Sequence, residues 1–454
     1  MKNIQASILS NKEFSFNILN SITVEVFVEK NDFHIPLEDL IKMAARINKK
    51  RSFLFVSKVL GKHLPIHPNR GGLTSALLAA KYYEEVKGGR CELKKEWLDS
   101  FLKYEPSFTG SAFIPKTFDP LIIGFAETAT ALGHAFFDCF EGAGYVHTTR
   151  ENLVDYRPVV SFEEEHSHAT SHHCYLPLEM IANDREIILV DDELTTGKTA
   201  LNIIRSIHSR FPRKVYSVVS ILDWRSEEDK QEFKKLENIL GITIHVVSLL
   251  AGKVQVNIQN EKLEQRSEDY HCQKKKAQIE RIYLPSLFEE AEISSISTNG
   301  SINSTPFLNE TGRFGISSDI NRQTQDKLLE AASFLTSKRS GKNTLCLGTG
   351  EFMYLPMKIA AEMGPGISYQ STTRSPIFVE NVTEYGAKYG LAFSNPEDQD
   401  IAHFVYNIPP GYYDELFLFF EREVENEQLF SLLKELEKTQ IESIKLVYFI
   451  RKKE

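Results

Sequence analysis

Ile187–Ala200 reads Ile-Ile-Leu-Val-Asp-Asp-Glu-Leu-Thr-Thr-Gly-Lys-Thr-Ala. Its apolar, β-prone start fits a strand buried on both faces, because a strand with one wet face alternates. Two carboxylates follow, then a Thr/Gly turn. Thr199–Phe211 comes next, with Leu201, Ile203, Ile204 and Ile207 at helical spacing. Strand, loop and helix in register are the building unit of parallel sheets. The same unbroken apolar character recurs in Leu121–Phe125, Val215–Leu222 and Ile242–Leu250, with a helical stretch at Thr74–Val86. The pattern predicts an α/β fold with a mostly parallel sheet covered on both faces. Nearer the N-terminus, Ser21–Glu29 alternates like a half-buried strand, and Pro36–Ile47 reads as a helix.

The loop itself has a chemistry. Asp191 and Asp192 stand at the carboxyl end of the apolar run, the edge at which open α/β sheets bind ligands. Thr195, Thr196, Gly197, Lys198 and Thr199 then turn into a helix, so backbone N–H groups, hydroxyls and a helix N-terminus converge. That combination suits a monophosphate dianion. The two carboxylates suit a sugar diol and a hydrated Mg²⁺ instead. A P-loop would need Gly where Asp192 stands, so that motif fails. The other reading is structural, a buried strand followed by a capped helix.

The 454 residues exceed what one core usually organises, so two domains are expected. A net charge of −9 argues against a broad nucleic-acid surface, and Lys274-Lys275-Lys276 reads as a solvated face. Five dispersed cysteines without a CxxC pair fit reduced thiols rather than a disulfide framework. No leader-like N-terminus and no run of roughly 20 apolar residues is visible, so the expectation is a cytoplasmic protein with no membrane partner.

The Ile187–Ala200 segment resembles the phosphoribosyl pyrophosphate (PRPP) loop of the type I phosphoribosyltransferases, and the resemblance extends over about residues 50–255. It implies a Rossmann-like domain that uses PRPP and Mg²⁺, the metal held at Asp191 and Asp192 through water. Asp191, Asp192 and Arg150 are the implied catalytic residues, and Thr195–Thr199 the 5′-phosphate site. Lys198 departs from the small residue usual there; it contacts phosphate or points to solvent. Asp119–Gly133 looks like the pyrophosphate loop, placing Glu127, Thr128, Ala129 and Thr130 at the leaving group. Arg150 looks like the basic strand-end residue that meets pyrophosphate, and an exposed strand-end charge is the alternative. Trp224 stands where relatives contact the base; stacking on a base or ordinary packing are both open. Ser161–Cys174 falls where relatives have a mobile flap. Its His166 and His168 are the flap residues implied, while zinc at the four histidines and Cys174, or a plain solvated loop, stay as alternatives.

A narrower resemblance covers the rest. Thr373-Arg374-Ser375-Pro376, with Thr311–Gly315 (TGRFG) and Gly348–Phe352 (GTGEF), is similar to the TRSP domain of two-domain phosphoribosyltransferases associated with tellurite-resistance gene clusters. This implies a nucleoside-like metabolite pathway under stress and a base-like acceptor. The expected layout is a phosphoribosyltransferase domain at 1–285, a Ser/Asn/Thr-rich linker at 286–310 and a C-terminal α/β domain at 311–454. Within the latter, Thr349, Gly350, Thr373, Arg374 and Ser375 are candidates for a second anion site, or are turn residues. A homodimer and association with other enzymes of the pathway are further expectations. A PRPP sensor without catalysis, a nucleobase salvage enzyme and a scaffold are the competing functions.

Overall fold

The computed structural model describes residues 6–10, 12–47, 52–110, 112–163, 171–259 and 275–452. Its largest sheet has nine strands around a parallel core. In spatial order that core runs Thr243–Ile258, Val215–Asp223, Ile187–Leu194, Leu121–Gly124, Gly144–His147. Antiparallel strands extend both ends. Ile22–Lys30 pairs with Thr243–Ile258, and Ile316–Ser317 pairs with Gly144 and Tyr145. Ile187, Ile188, Leu189 and Val190 are all fully buried, as their unbroken apolar run requires. Each such side chain contributes roughly 1.5–3 kcal/mol. Helices Pro68–Lys87 and Lys198–Arg210 supply the apolar cover.

A second sheet of five strands is wholly parallel, ordered Gln278–Tyr283, Ser443–Ile450, Glu415–Arg422, Thr344–Gly348, Ile367–Ser371. Glu415–Arg422 is buried along its whole length. Among the parallel strands of each sheet the strand order reverses once. The reversal falls between Leu121–Gly124 and Ile187–Leu194 in the first, and between Thr344–Gly348 and Glu415–Arg422 in the second. A doubly wound sheet opens its ligand crevice at such a point.

The two carboxyl edges face one another. Thr149 Oγ1 donates to Glu351 Oε2 at 2.6 Å, and the Arg150 N–H to Glu351 Oε1 at 2.9 Å. From the other direction, Thr373 Oγ1 donates to Glu127 Oε2 at 3.2 Å. The loops of the first sheet are thus capped by the loops of the second.

The α/β class is as expected, and the details differ in two places. Pro36–Ile47 is not one helix: only Leu37–Leu40 is helical, and Ile41–Ala45 pairs antiparallel with Phe53–Ser57. Apolar density alone does not separate a helix from a strand buried on both sides. The boundaries at 285 and 310 also do not follow the chain's pairing. Gln278–Tyr283 is an edge strand of the second sheet, and Ile316–Ser317 joins the first. Nor is 286–310 a free linker. Ser295 and Ile296 pair with Leu153 and Asn152, and Phe307 and Leu308 are buried. The polar composition hid these contacts because Ser and Thr can serve a short buried strand through its backbone bonds.

Candidate active site

The strand Ile187–Leu194 outruns one of its neighbours. Its pairing with Leu121–Gly124 ends at Val190, while its pairing with Val215–Asp223 continues to Leu194. Asp191 and Asp192 therefore stand half-buried beside the opening between two strands. The Asp192 N–H donates to Asp191 Oδ1 at 2.9 Å. Among the described residues, no group of three or more His, Cys, Asp or Glu is placed to hold a metal unaided. Two oxygen-donor side chains still fit Mg²⁺, which keeps several waters and leans on substrate oxygens.

The turn that follows has the form expected of an anion site. Gly197 takes φ +72° at the N-cap of the helix Lys198–Arg210 and offers no side chain of its own, and the Lys198 N–H donates to Thr196 Oγ1 at 3.4 Å. Thr195, Thr196 and Thr199 are half-buried around it, and Lys198 is exposed. A Cβ on Gly197 would lie 2.6 Å from the Phe233 ring. Gly197→Ala combines that clash with a left-handed backbone and should cost about 1–3 kcal/mol. Denaturant unfolding measures this. An unchanged midpoint would mean that the turn is not held in the left-handed form.

The expected pyrophosphate contacts of the Asp119–Gly133 loop, Glu127, Thr128, Ala129 and Thr130, also sit at the reversal point. Their side chains do not all face a leaving group. Glu127, Ala129 and Thr130 are buried, and Thr128 alone of the four is half-exposed. Thr130 Oγ1 donates to the Glu127 carbonyl at 3.1 Å. The Glu127 carboxylate points toward the second sheet. Lys62 Nζ lies 3.1 Å from its Oε2, which also accepts from the Arg374 N–H at 3.2 Å. Burial alone would raise this carboxyl, but Lys62, His403, Arg374 and Arg150 outweigh it and hold it well below the usual carboxylate range. The Glu127 carboxylate is thus a junction group, while the pyrophosphate contact expected of this loop is one of its backbone amides.

Arg150 does end a segment at this edge, half-buried, with its backbone tied to Glu351. Trp224 is corrected to packing. It is 7% exposed and one face of its ring stacks on Phe55 at 5.1 Å, so little of the ring is open to a base. His166 and His168 lie outside the described residues. Their neighbours form an antiparallel pair, Val160–Glu163 with Ser171–Cys174, docked to the sheet edge by mutual backbone bonds between Thr149 and His173. His172 is buried, stacked on Phe162 at 5.1 Å, with Nδ1 3.1 Å from Thr148 Oγ1.

The second anion-site candidates are already engaged. Thr349 Oγ1 donates to the Phe419 carbonyl at 3.0 Å, and the Gly350 N–H to Thr372 Oγ1 at 2.9 Å. Thr373 and Arg374 donate to Glu127, and the Ser375 N–H turns back to Thr373 Oγ1 at 3.1 Å. Two of these groups, Thr373 and Arg374, do bind an anion, but it is the chain's own Glu127. Residues 349–375 alone could not reveal this, because the carboxylate comes from another sheet. Lys62, Glu151, Glu351 and His403 were not singled out from the sequence for the same reason.

Two family models match the chain. One, described as phosphoribosyl transferase, covers residues 40–253. The other, described as the TRSP domain C-terminal to that transferase, covers residues 310–436. The chain joins a phosphoribosyl transferase domain to a TRSP domain. The strands Leu121–Gly124, Gly144–His147, Ile187–Leu194 and Val215–Asp223 lie within the transferase match, and the Thr349–Gly350 and Thr373–Ser375 turns within the TRSP match. No curated protein shows significant similarity to the chain. Among solved structures, the chain is similar to adenine phosphoribosyl transferase from Trypanosoma brucei, at 11% identity over 55% of this chain and 87% of that one, TM-score 0.31. It is also similar to adenine phosphoribosyltransferase from Leishmania tarentolae, at 13% identity over 54% and 94%, TM-score 0.31. Orotate phosphoribosyltransferase from Aeropyrum pernix matches at 11% identity over 47% and 88%, TM-score 0.25. Similarity this distant carries no inference about chemistry. Among the described residues, no helix is long and apolar enough to cross a membrane.

Proposed function

We propose that the protein transfers a phosphoribosyl group between PRPP and a base-like acceptor. The observation that supports this best is the pairing of Asp191 and Asp192 with a left-handed Thr/Gly turn at a helix start, beside the reversal point of a parallel sheet. The anomeric C–O bond breaks, an acceptor nitrogen bonds to that carbon, pyrophosphate leaves, and the acceptor's N–H proton passes to water. Backbone N–H groups of Thr195–Thr199 receive the 5′-phosphate. Asp191 and Asp192 accept the ribose hydroxyls and tolerate the positive charge that develops on the ring. Mg²⁺ held by them through water would supply charge against the departing pyrophosphate. Arg150 and Thr128 face the same leaving group. The flap that the resemblance places at Ser161–Cys174, with His166 and His168, would close over the site and exclude water, which would otherwise hydrolyse the sugar. The acceptor belongs to a nucleoside-like, stress- or tellurite-linked pathway in the cytoplasm, on the family resemblance.

Pyrophosphate release from PRPP, assayed against a panel of nucleobases and cell extract, tests this. Release should depend on both an acceptor and Mg²⁺, and should stop with EDTA. Tight PRPP binding with no release under any condition would replace the enzyme with a sensor. Absence of PRPP binding would sink both readings.

A further inference from the structure

The strand Gly144–His147 stops short of the residues at its carboxyl end. The Thr148 N–H still donates to the Gly124 carbonyl of the neighbouring strand at 2.8 Å. Beyond it, Thr149 and Arg150 have left that ladder, and other segments hold them. One is the His173 backbone, which exchanges bonds with Thr149. Another is a side chain from the TRSP match. Glu351 accepts the Thr149 hydroxyl on Oε2 at 2.6 Å and the Arg150 N–H on Oε1 at 2.9 Å. Both its oxygens are therefore engaged by two consecutive residues of the transferase half. The Glu151 N–H donates back to Thr149 Oγ1 at 3.1 Å and closes the turn.

Glu351 is itself held in place. The Phe352 N–H donates to the Thr349 carbonyl at 2.9 Å, Thr349 Oγ1 to the Phe419 carbonyl at 3.0 Å, and the Gly350 N–H to Thr372 Oγ1 at 2.9 Å. The Glu351 side chain is 7% exposed, with an Arg313 nitrogen 3.9 Å away. Burial alone would raise its carboxyl, but Arg313, His147, Arg374 and the Thr149 hydroxyl outweigh burial and hold it below the usual carboxylate range. An ionised acceptor makes the stronger kind of hydrogen bond.

The second marked turn of the TRSP domain does the same on the next loop, where Thr373 and Arg374 donate to Glu127. The two turns thus reach the two segments that the transfer reading puts at the leaving group. Those segments are also tied to each other, because the Ala126 N–H donates to Thr148 Oγ1 at 2.8 Å. A displacement at 149–150 is thereby passed to the 126–130 loop. Contacts to a departing group act only where they are fixed, and a misplacement of about 1 Å can cost on the order of 10²-fold in rate.

We propose that Glu351 is a positioning residue for phosphoribosyl transfer, through which the TRSP domain sets the Thr149–Arg150 strand end, and with it the 126–130 loop, against pyrophosphate. The role rests on the phosphoribosyl-transfer reading above. On this account the GTGEF and TRSP turns serve the first domain's site.

Calorimetry on the full-length protein, with Mg²⁺-pyrophosphate and separately with ribose 5-phosphate, tests this. Glu351→Gln keeps the size of the side chain and leaves one acceptor for two donors. It should weaken pyrophosphate binding about tenfold or more, while ribose 5-phosphate, received by the 195–199 turn, binds as in the parent. Thr149→Val removes the contact from the other side, should show the same split, and serves if Glu351→Gln is unstable. In the double variant the loss should match that of the weaker-binding single variant, not the product of the two. Glu415 is buried and held by Lys445 at the amino end of its strand in the second sheet, away from the transferase loops. Glu415→Gln should lower the melting temperature and leave pyrophosphate affinity unchanged. Parent-like pyrophosphate binding in both contact variants, an equal selective loss in Glu415→Gln, or multiplying losses in the double variant would overturn the role and leave the transfer reading standing. A parent that binds neither pyrophosphate nor ribose 5-phosphate would overturn the transfer reading and this role together.

Discussion

Replacing Asp191 and Asp192 together by Asn is expected to reduce PRPP turnover on the order of 10³-fold and to leave the fold intact. Both residues are only half-buried, so the change leaves no charge stranded in an apolar core. Asn keeps the size and one acceptor oxygen of Asp, so the Asp192 N–H, now donating to Asp191 Oδ1, can keep a partner. What is lost is the negative charge. In the proposed reaction that charge opposes the positive ring of the transition state and helps hold Mg²⁺. Removing one preorganised electrostatic contact typically costs about 10²–10³ in rate. The effect should fall on kcat rather than on 5′-phosphate affinity, because the turn at Thr195–Thr199 is a separate set of donors. Steady-state kinetics with Mg²⁺ titrated in each variant tests this. Turnover within a few-fold of the parent would remove the carboxylates from the chemistry, and with them the centre of the proposal.

The parts of this molecule legible in the sequence are those in which local pattern and tertiary role coincide. Ile187–Val190 reads as a doubly covered strand and is one, because burial on both faces writes itself as consecutive apolar residues. The Thr195–Thr199 turn is legible for a similar reason: Gly197 has to take a left-handed backbone there. Glu127 shows the opposite case. Its loop was read from small residues near a strand end, but the direction of its carboxylate is set by Lys62 and Arg374, which come from distant parts of the chain. Trp224 likewise lies at the strand end anticipated, and only Phe55 decides that its ring is packing. The polar 286–310 stretch was unreadable because its partners, Asn152 and Leu153, lie far upstream. Spatial neighbours across two sheets leave no periodic mark on either segment.

Lys62→Met should be the most destabilising single change at the junction. Lys62 is fully buried, with Nζ bound to the Gly350 carbonyl at 3.0 Å as well as to Glu127. Methionine fills most of the volume but leaves a buried carboxylate without its nearest counter-charge, which costs about 3–5 kcal/mol. Adding Glu127→Gln should return more than half of that loss, since the amide oxygen can still accept from Thr373 Oγ1 and the Arg374 N–H and needs no counter-charge. The pair also fixes a sign for acid stability. The Glu127 carboxyl lies below its ordinary value in the folded chain. Its contribution is therefore complete above the unfolded carboxyl pKa of about 4.3 and is lost as pH falls below it. Glu127→Gln should flatten the fall in stability between pH 5 and more acid conditions, about the unfolded value. Chemical denaturation of the parent, both single variants and the double variant, at neutral pH and in acid, completes the cycle. If Lys62→Met unfolds within about 1 kcal/mol of the parent, the pair does not hold the two sheet edges together. If the double variant is no more stable than Lys62→Met, the loss comes from packing rather than from an uncompensated charge.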